Sequence, residues 1–139
     1  MPMESRYIDN EDGTVTDNAT GLMWTKKANH GLMTWSDAVA YCDNLMTNGY
    51  CDWRLPLVAH GGGKAELDAL FRANGNPPEA WEGSEETPFD GVQDTYYWSS
   101  TSLANSDVYA WVVNMSNGYV NYFLKTFNFH CVWPVRGGQ

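Results

Sequence analysis

The chain is short of positive charge. Eight Lys and Arg stand against seventeen Asp and Glu, a formal net charge of −9 over 139 residues. The basic residues are scattered rather than clustered, so phosphate backbones and anionic membranes would repel the chain; no nucleic-acid partner is expected. Long apolar runs are missing as well, none approaching the ~20 residues of a membrane span, and no membrane insertion is expected. The opening MPMESRY lacks the apolar core of a signal peptide, which fits a cytosolic chain or one whose leader has been removed. Histidines are few, and His30, His60 and His130 share no short metal-ligand spacing. Neither a Gly-x-Ser-x-Gly elbow nor a Ser-His-Asp order occurs. Catalytic residues, metals and cofactors are therefore all expected to be absent.

What the chain does hold is aromatic surface: 14% Phe, Trp and Tyr, with seven Trp and eight Tyr. That exceeds the need of a small core, and surplus Trp and Tyr often line recognition surfaces. The length fits one domain, residues 1–139, able to bury a core without a metal; residues 1–5 are expected to be disordered or foreign to it. RYID and TVTD are short strand-like runs joined by Asp12-Gly13, a strong hairpin signal, and NATG turns the chain again into LMW. The string Asp9, Asn10, Asp12, Asp17 is acidic enough to suggest calcium. An EF-hand loop, however, would need its first carboxylate at Ile8, so turn chemistry is the better reading.

TWSDAVAYCDNLMTNG carries the clearest helical pattern. Thr34 and Asp37 resemble a capping box, Trp35, Ala38, Val39, Cys42, Leu45 and Met46 fall on one face, and Gly49 is the natural stop. GGGK at 61–64 is no phosphate loop, which would need Gly at Val58 and Ser or Thr at Ala65. A second helix follows, with Leu67, Leu70 and Phe71 on one side and Gly75 closing it. Residues 74–95 read as a solvated acidic loop carrying Glu79, Glu82, Glu85, Glu86, Asp90 and Asp94, without fixed calcium spacing. The last third alternates as strands: YYWSSTS, then VYAWVVNM, a turn at Asn117-Gly118, YVNYFLK, and FHCVWPVR, where Pro134 marks an edge or terminus. The order predicts an α+β fold with an N-terminal β-hairpin, two helices, a long loop region and a C-terminal antiparallel sheet.

DNEDGTVTDNATGLMW, TWSDAVAYCDNL, GYCDWRLP, YWSSTS, YAWVVNMSNGYV and CVWPVRGG, in that order, resemble the family named after the C-terminal domain of the Legionella collagen-like adhesin. The resemblance runs from about Arg6 to Gly137. It implies a C-type-lectin-like fold and a place on bacterial surface or secreted proteins that bind sugars or other macromolecules. In lectin-like folds a long-range disulfide ties the first helix to the last strand, and the matching positions here are Cys42 and Cys131. A Cys42–Cys51 pair is the second choice. Such a bridge would place the domain in the periplasm, at the cell surface or in the exterior. On the same resemblance CDWRL is a structural knot: Trp53 fills the junction under the helices, and Arg54 bridges a carboxylate and backbone carbonyls. Trp98 and Trp111 are assigned to structure too.

The fold also hosts oxidases with a closely spaced C-terminal thiol pair or a His-rich metal triad, and Cys131 stands alone, so a binding role is preferred to an enzymatic one. The expected ligand-binding residues are Asn105, Asp107, Asn117, Tyr119, Asn121, Phe123, Lys125 and Asn128. On an alternating strand Tyr119, Asn121 and Phe123 would face outward; the other register would expose Tyr122 with Val120. The expected partner is carbohydrate or another macromolecule. A calcium-dependent sugar signature is missing, and the acidic balance disfavours sulfated polymers. The alternatives are a structural domain that uses its sheet face for homo-oligomer contacts, and a ligand receptor diversified by a retroelement.

Overall fold

Asp12-Gly13 turns the chain between strands β1 (Tyr7–Asp9) and β2 (Thr14–Asp17), which pair antiparallel with Tyr7 opposite Asp17. The Asp12 carboxylate accepts the Thr14 N–H at 3.0 Å, and Gly13 takes a φ of +92° that side chains resist. The NATG turn leads into β3 (Leu22–Thr25). The computed structural model describes residues 6–47, 49–59, 65–74, 87–103, 106–126 and 128–137. Within them follow β4 (Leu32–Met33), α1 (Trp35–Asn44), α2 (Leu67–Asn74), β5 (Tyr96–Leu103), β6 (Ser106–Asn114), β7 (Val120–Leu124), β8 (His130–Cys131) and β9 (Val135–Gly137). Residues 1–5, Gly75 and Glu79 to Glu86 of the acidic loop lie outside the described residues.

Two sheets form, in the orders β1-β2-β3-β9 and β4-β8-β5-β6-β7. All pairings are antiparallel except β5 with β8. The α+β architecture matches the sequence pattern, with one change at the end of the chain. FHCVWPVR is two strands, not one. Pro134 has no N–H to give a ladder, and there the chain leaves the five-stranded sheet as β8 and joins the four-stranded sheet as β9. The closing strand therefore pairs with the opening hairpin system, Leu22 opposite Gly137.

The five-stranded sheet is covered on both faces. On one side Tyr97, Val113 and Cys131 pack with Trp24, Trp133, Phe89 and the α2 residues Leu67 and Leu70. On the other, Trp98, Ala110, Val112 and Val132 pack with Ala38 and Cys42 of α1. Tyr97 and Trp98 thus go to opposite cores, as do Val112 and Val113, because successive strand side chains point to opposite faces. In β6, Ala110 and Val112 are taken up by one core and Val113 by the other, while Tyr109 and Trp111 stay half-buried and Asp107 and Val108 are exposed.

Helix α1 begins where the pattern places it, yet Thr34 caps it only as an extended backbone residue, with no side-chain cap hydrogen bond. The helix ends at Asn44 and Leu45 is already extended, so Met46 falls off the apolar face and is 73% exposed. Gly49 has φ +81° but lies beyond the helix end and does not stop it.

The disulfide does not form. Cys42, Cys51 and Cys131 are all free thiols. The reason is the strand period: His130 and Val132 face α1, so Cys131 between them points through to the opposite core, away from Cys42. A bridge would have to cross the sheet. Burial pushes the Cys42 thiol up to about 12 and the Cys131 thiol up to about 11, so both are held as inert SH groups. Thiol titration under non-reducing conditions checks this. The native protein should expose Cys51 alone to a thiol reagent, and all three thiols should react on unfolding without reductant. A Cys42–Cys131 cross-linked peptide would contradict it.

Candidate functional site

The β6–β7 hairpin carries most of the residues expected to bind. Its turn needs a glycine for two reasons. Gly118 has φ +79°, and a Cβ there would lie 2.6 Å from two ring carbons of Phe71 on α2. The Gly118 N–H bonds the Asn114 carbonyl at 2.6 Å, and Asn117 Oδ1 accepts the Tyr119 N–H at 2.9 Å. The hairpin is thereby fixed against α2, and Tyr119 emerges from the turn 73% exposed.

Beyond it the two registers proposed from sequence are sorted by α1. Phe123 turns toward the helix, its ring centroid 4.9 Å from Tyr96 and 4.8 Å from His130. It is half-buried and does not face outward, because α1 and its partners already cover that face. Tyr122 is the more open residue at 44% exposure, and its ring meets Tyr109 and Trp111 edge-on, each at 5.3 Å. Trp111 in turn leans on the first core. Tyr122, Tyr109 and Trp111 thus make an aromatic surface with its inner ring seated on the core, and Tyr119 stands open at the turn.

The amides have backbone work. Asn121 Oδ1 accepts the Tyr122 N–H at 2.8 Å, and Asn128 Nδ2 donates to the Leu124 carbonyl at 3.1 Å. Asn114 N–H bonds the Tyr119 carbonyl and Lys125 N–H bonds the Val108 carbonyl, so residues 119 and 125 turn their peptide groups to β6. By alternation Tyr122 N–H and Leu124 C=O point off the free edge of β7. Two side-chain amides therefore cap an edge that would otherwise invite another strand.

Asp107 and Lys125 lie apart from this face. They line a groove of about 520 Å³ with Trp35, Val108 and Leu124, beside the first turn of α1. The Lys125 ammonium sits 3.9 Å from the Trp35 ring centroid and donates to Ser102 Oγ at 2.8 Å. Trp35 is itself held by its Nε1–H to the Ser99 carbonyl at 2.9 Å. Sequence reasoning counted Trp35 as core, and the helical period supplied no signal that its ring also borders a groove. Asn105 lies outside the described residues.

The remaining assigned residues are in the body of the fold. Trp53 is buried; Arg54 bonds both Glu66 oxygens, at 2.7 and 2.9 Å, and the Gly137 carbonyl at 3.0 Å. Asp52 pairs with Arg136, whose guanidinium lies 3.9 Å over the Tyr50 ring. Trp98 is fully buried and donates to the Met33 carbonyl at 2.7 Å. Among the described residues no group of three His, Cys, Asp or Glu is placed to hold a metal ion. Asp90 serves through its backbone, bonding Lys26 and Ala28.

These features define an α+β domain with a core on each side of its larger sheet, an aromatic hairpin face and a separate groove. The chain belongs to the Lcl C-terminal domain family, whose model matches residues 13–136. No curated protein matches it.

Phe123 packs on His130, and this contact carries a pH dependence. His130 is 9% exposed among Tyr96, Trp98 and Phe123, and burial pushes its imidazole down to about 4. The neutral ring is the one the fold accepts. Its stabilising effect is complete above the unfolded value of 6.5 and is lost as pH falls from there toward 4. Between pH 7 and 5 the loss should be about 2 kcal/mol. Urea midpoints for wild type and His130→Phe at the two pH values check this: the variant should lack most of the loss.

Proposed function

We propose that this domain is a non-enzymatic recognition module that binds carbohydrate through the ring-bearing face of the β6–β7 hairpin. The observation that carries the reading is the exposure of Tyr119 and Tyr122, 73% and 44%, on a hairpin locked by Gly118 against α2. Open aromatic rings on a rigid support stack on the apolar faces of sugars at little entropic cost. The lectin-like resemblance and the family's link to an adhesin support the same reading. Action outside the cytoplasm rests on the family alone, since the thiols are free. No helix among the described residues is long and apolar enough to cross a membrane. The charge of −9 argues for neutral rather than sulfated ligands.

A glycan array followed by titration calorimetry tests the proposal. Tyr119→Ala with Tyr122→Ala should weaken binding of any glycan found by roughly tenfold or more, two rings at about 0.7 kcal/mol or above each. The melting temperature should hold within a few degrees, because both rings are exposed. Undiminished binding in a folded double variant would contradict the assignment of this face.

A further inference from the structure

We infer that the groove beside the first turn of α1 is a subsite for a neutral pyranose ring, distinct from the exposed tyrosines of the β6–β7 hairpin. The inference rests on the reading of the domain as a sugar-binding module and adds a place and a ligand class to it. At about 520 Å³ the groove falls within the range of small-molecule sites, roughly 300–1,000 Å³. Trp35, Val108 and Leu124 give it apolar walls, as the C–H faces of a sugar ring require, and Asp107 and Lys125 give it polar ends.

The charges choose the ligand. Arg6, Lys26, Arg54, Arg72 and Arg136 each pair with a carboxylate. Lys27 and Lys125 pair with none among the described residues; the Lys125 ammonium is held by the Trp35 ring and the Ser102 hydroxyl. An ammonium has three N–H donors, and the one hydrogen bond to Ser102 leaves capacity for a ligand oxygen. Asp107 supplies an acceptor, and Ser36 and Thr126 add hydroxyls that serve either way. One cation and one anion leave the groove without net charge. An anionic ligand would meet the overall −9, and a cationic one would meet Lys125. A neutral ring with several hydroxyls satisfies both ends at no such cost.

The test is a titration of the whole domain, followed by amide and indole NMR, with methyl glucoside, methyl galactoside, methyl mannoside and N-acetylglucosamine up to roughly 50 mM, the range of weak sites. Glucuronate serves as the charged control. At least one neutral sugar should shift the Trp35 indole N–H and the Val108 amide saturably. Val108→Arg, placed at a 51% exposed position, should fill the groove, and Lys125→Met should remove its donor while keeping an apolar stem against Trp35. Both should weaken binding at least tenfold with the remaining spectrum unchanged. If Val108→Arg misfolds, Lys125→Met decides. Sugar binding that survives both variants and is lost in Tyr119→Ala with Tyr122→Ala would overturn the subsite and leave the proposed function standing. Tighter binding of glucuronate would overturn the neutral-ligand assignment. With no saturable shift from any sugar the subsite is overturned; a positive glycan array would then preserve the wider reading, and a negative one would end both.

Discussion

The Arg54 guanidinium is the point on which three distant parts of the chain depend. It grips both oxygens of Glu66 at the start of α2 and the carbonyl of Gly137 in the closing strand. Its own backbone exchanges two 2.9 Å hydrogen bonds with Val135. Glu66 also accepts the Leu57 N–H at 2.8 Å, so its buried carboxylate has several partners. A buried carboxylate is tolerable only when matched in this way. Through this one cluster the CDWRLP segment, the helix beneath the hairpin and the last strand of the smaller sheet are held in register. The second bidentate pair, Arg136 with Asp52, lies next to it on the same strand and repeats the tie closer to solvent.

That anchoring reaches the candidate binding surfaces through packing. With α2 fixed by Glu66, Phe71 stands under Gly118 and sets the height of the β6–β7 turn. The hairpin face is then shaped from below by α2 and the groove from the side by α1, whose Trp35 N–H bonds the Lys125 carbonyl at 3.2 Å. The two surfaces belong to one hairpin but lean on different helices. The edge between them is closed to further strands by Asn121 and Asn128, which leaves side chains rather than backbone as the means of contact.

Much of this architecture was legible from local signals. Asp12-Gly13 and Asn117-Gly118 mark turns because the glycine takes a positive φ and the Asp or Asn side chain accepts a nearby backbone N–H, and the apolar spacing of α1 and α2 marks their inner faces. The family motifs placed the chain in its family, whose model matches residues 13–136 of the expected span of about 6–137. What escaped depends on what lies on the far side of a strand. Period two shows that Trp111 and Val112 face opposite ways, but not that both faces are covered, and so Phe123 was expected outside. The same gap misled the cysteines: a matched position gives no facing, and Cys131 faces the wrong core. Trp35 and Val108 come together only in three dimensions, from segments more than seventy positions apart, and neither bears a sequence mark of a groove. The amides of Asn121 and Asn128 read as ligand donors because their backbone partners are set by the register, which sequence does not supply.

The central claim, that the Arg54–Glu66 pair holds the fold together, is most directly tested by a double-mutant cycle. Urea unfolding would be measured for wild type, Arg54→Met, Glu66→Gln and the double variant. Arg54→Met strands a buried carboxylate and should cost roughly 3 kcal/mol or more. The double variant should be less destabilised than the sum of the two singles, by at least about 1 kcal/mol. Single variants that unfold within about 0.5 kcal/mol of wild type, the range of ordinary surface substitutions, would contradict the account.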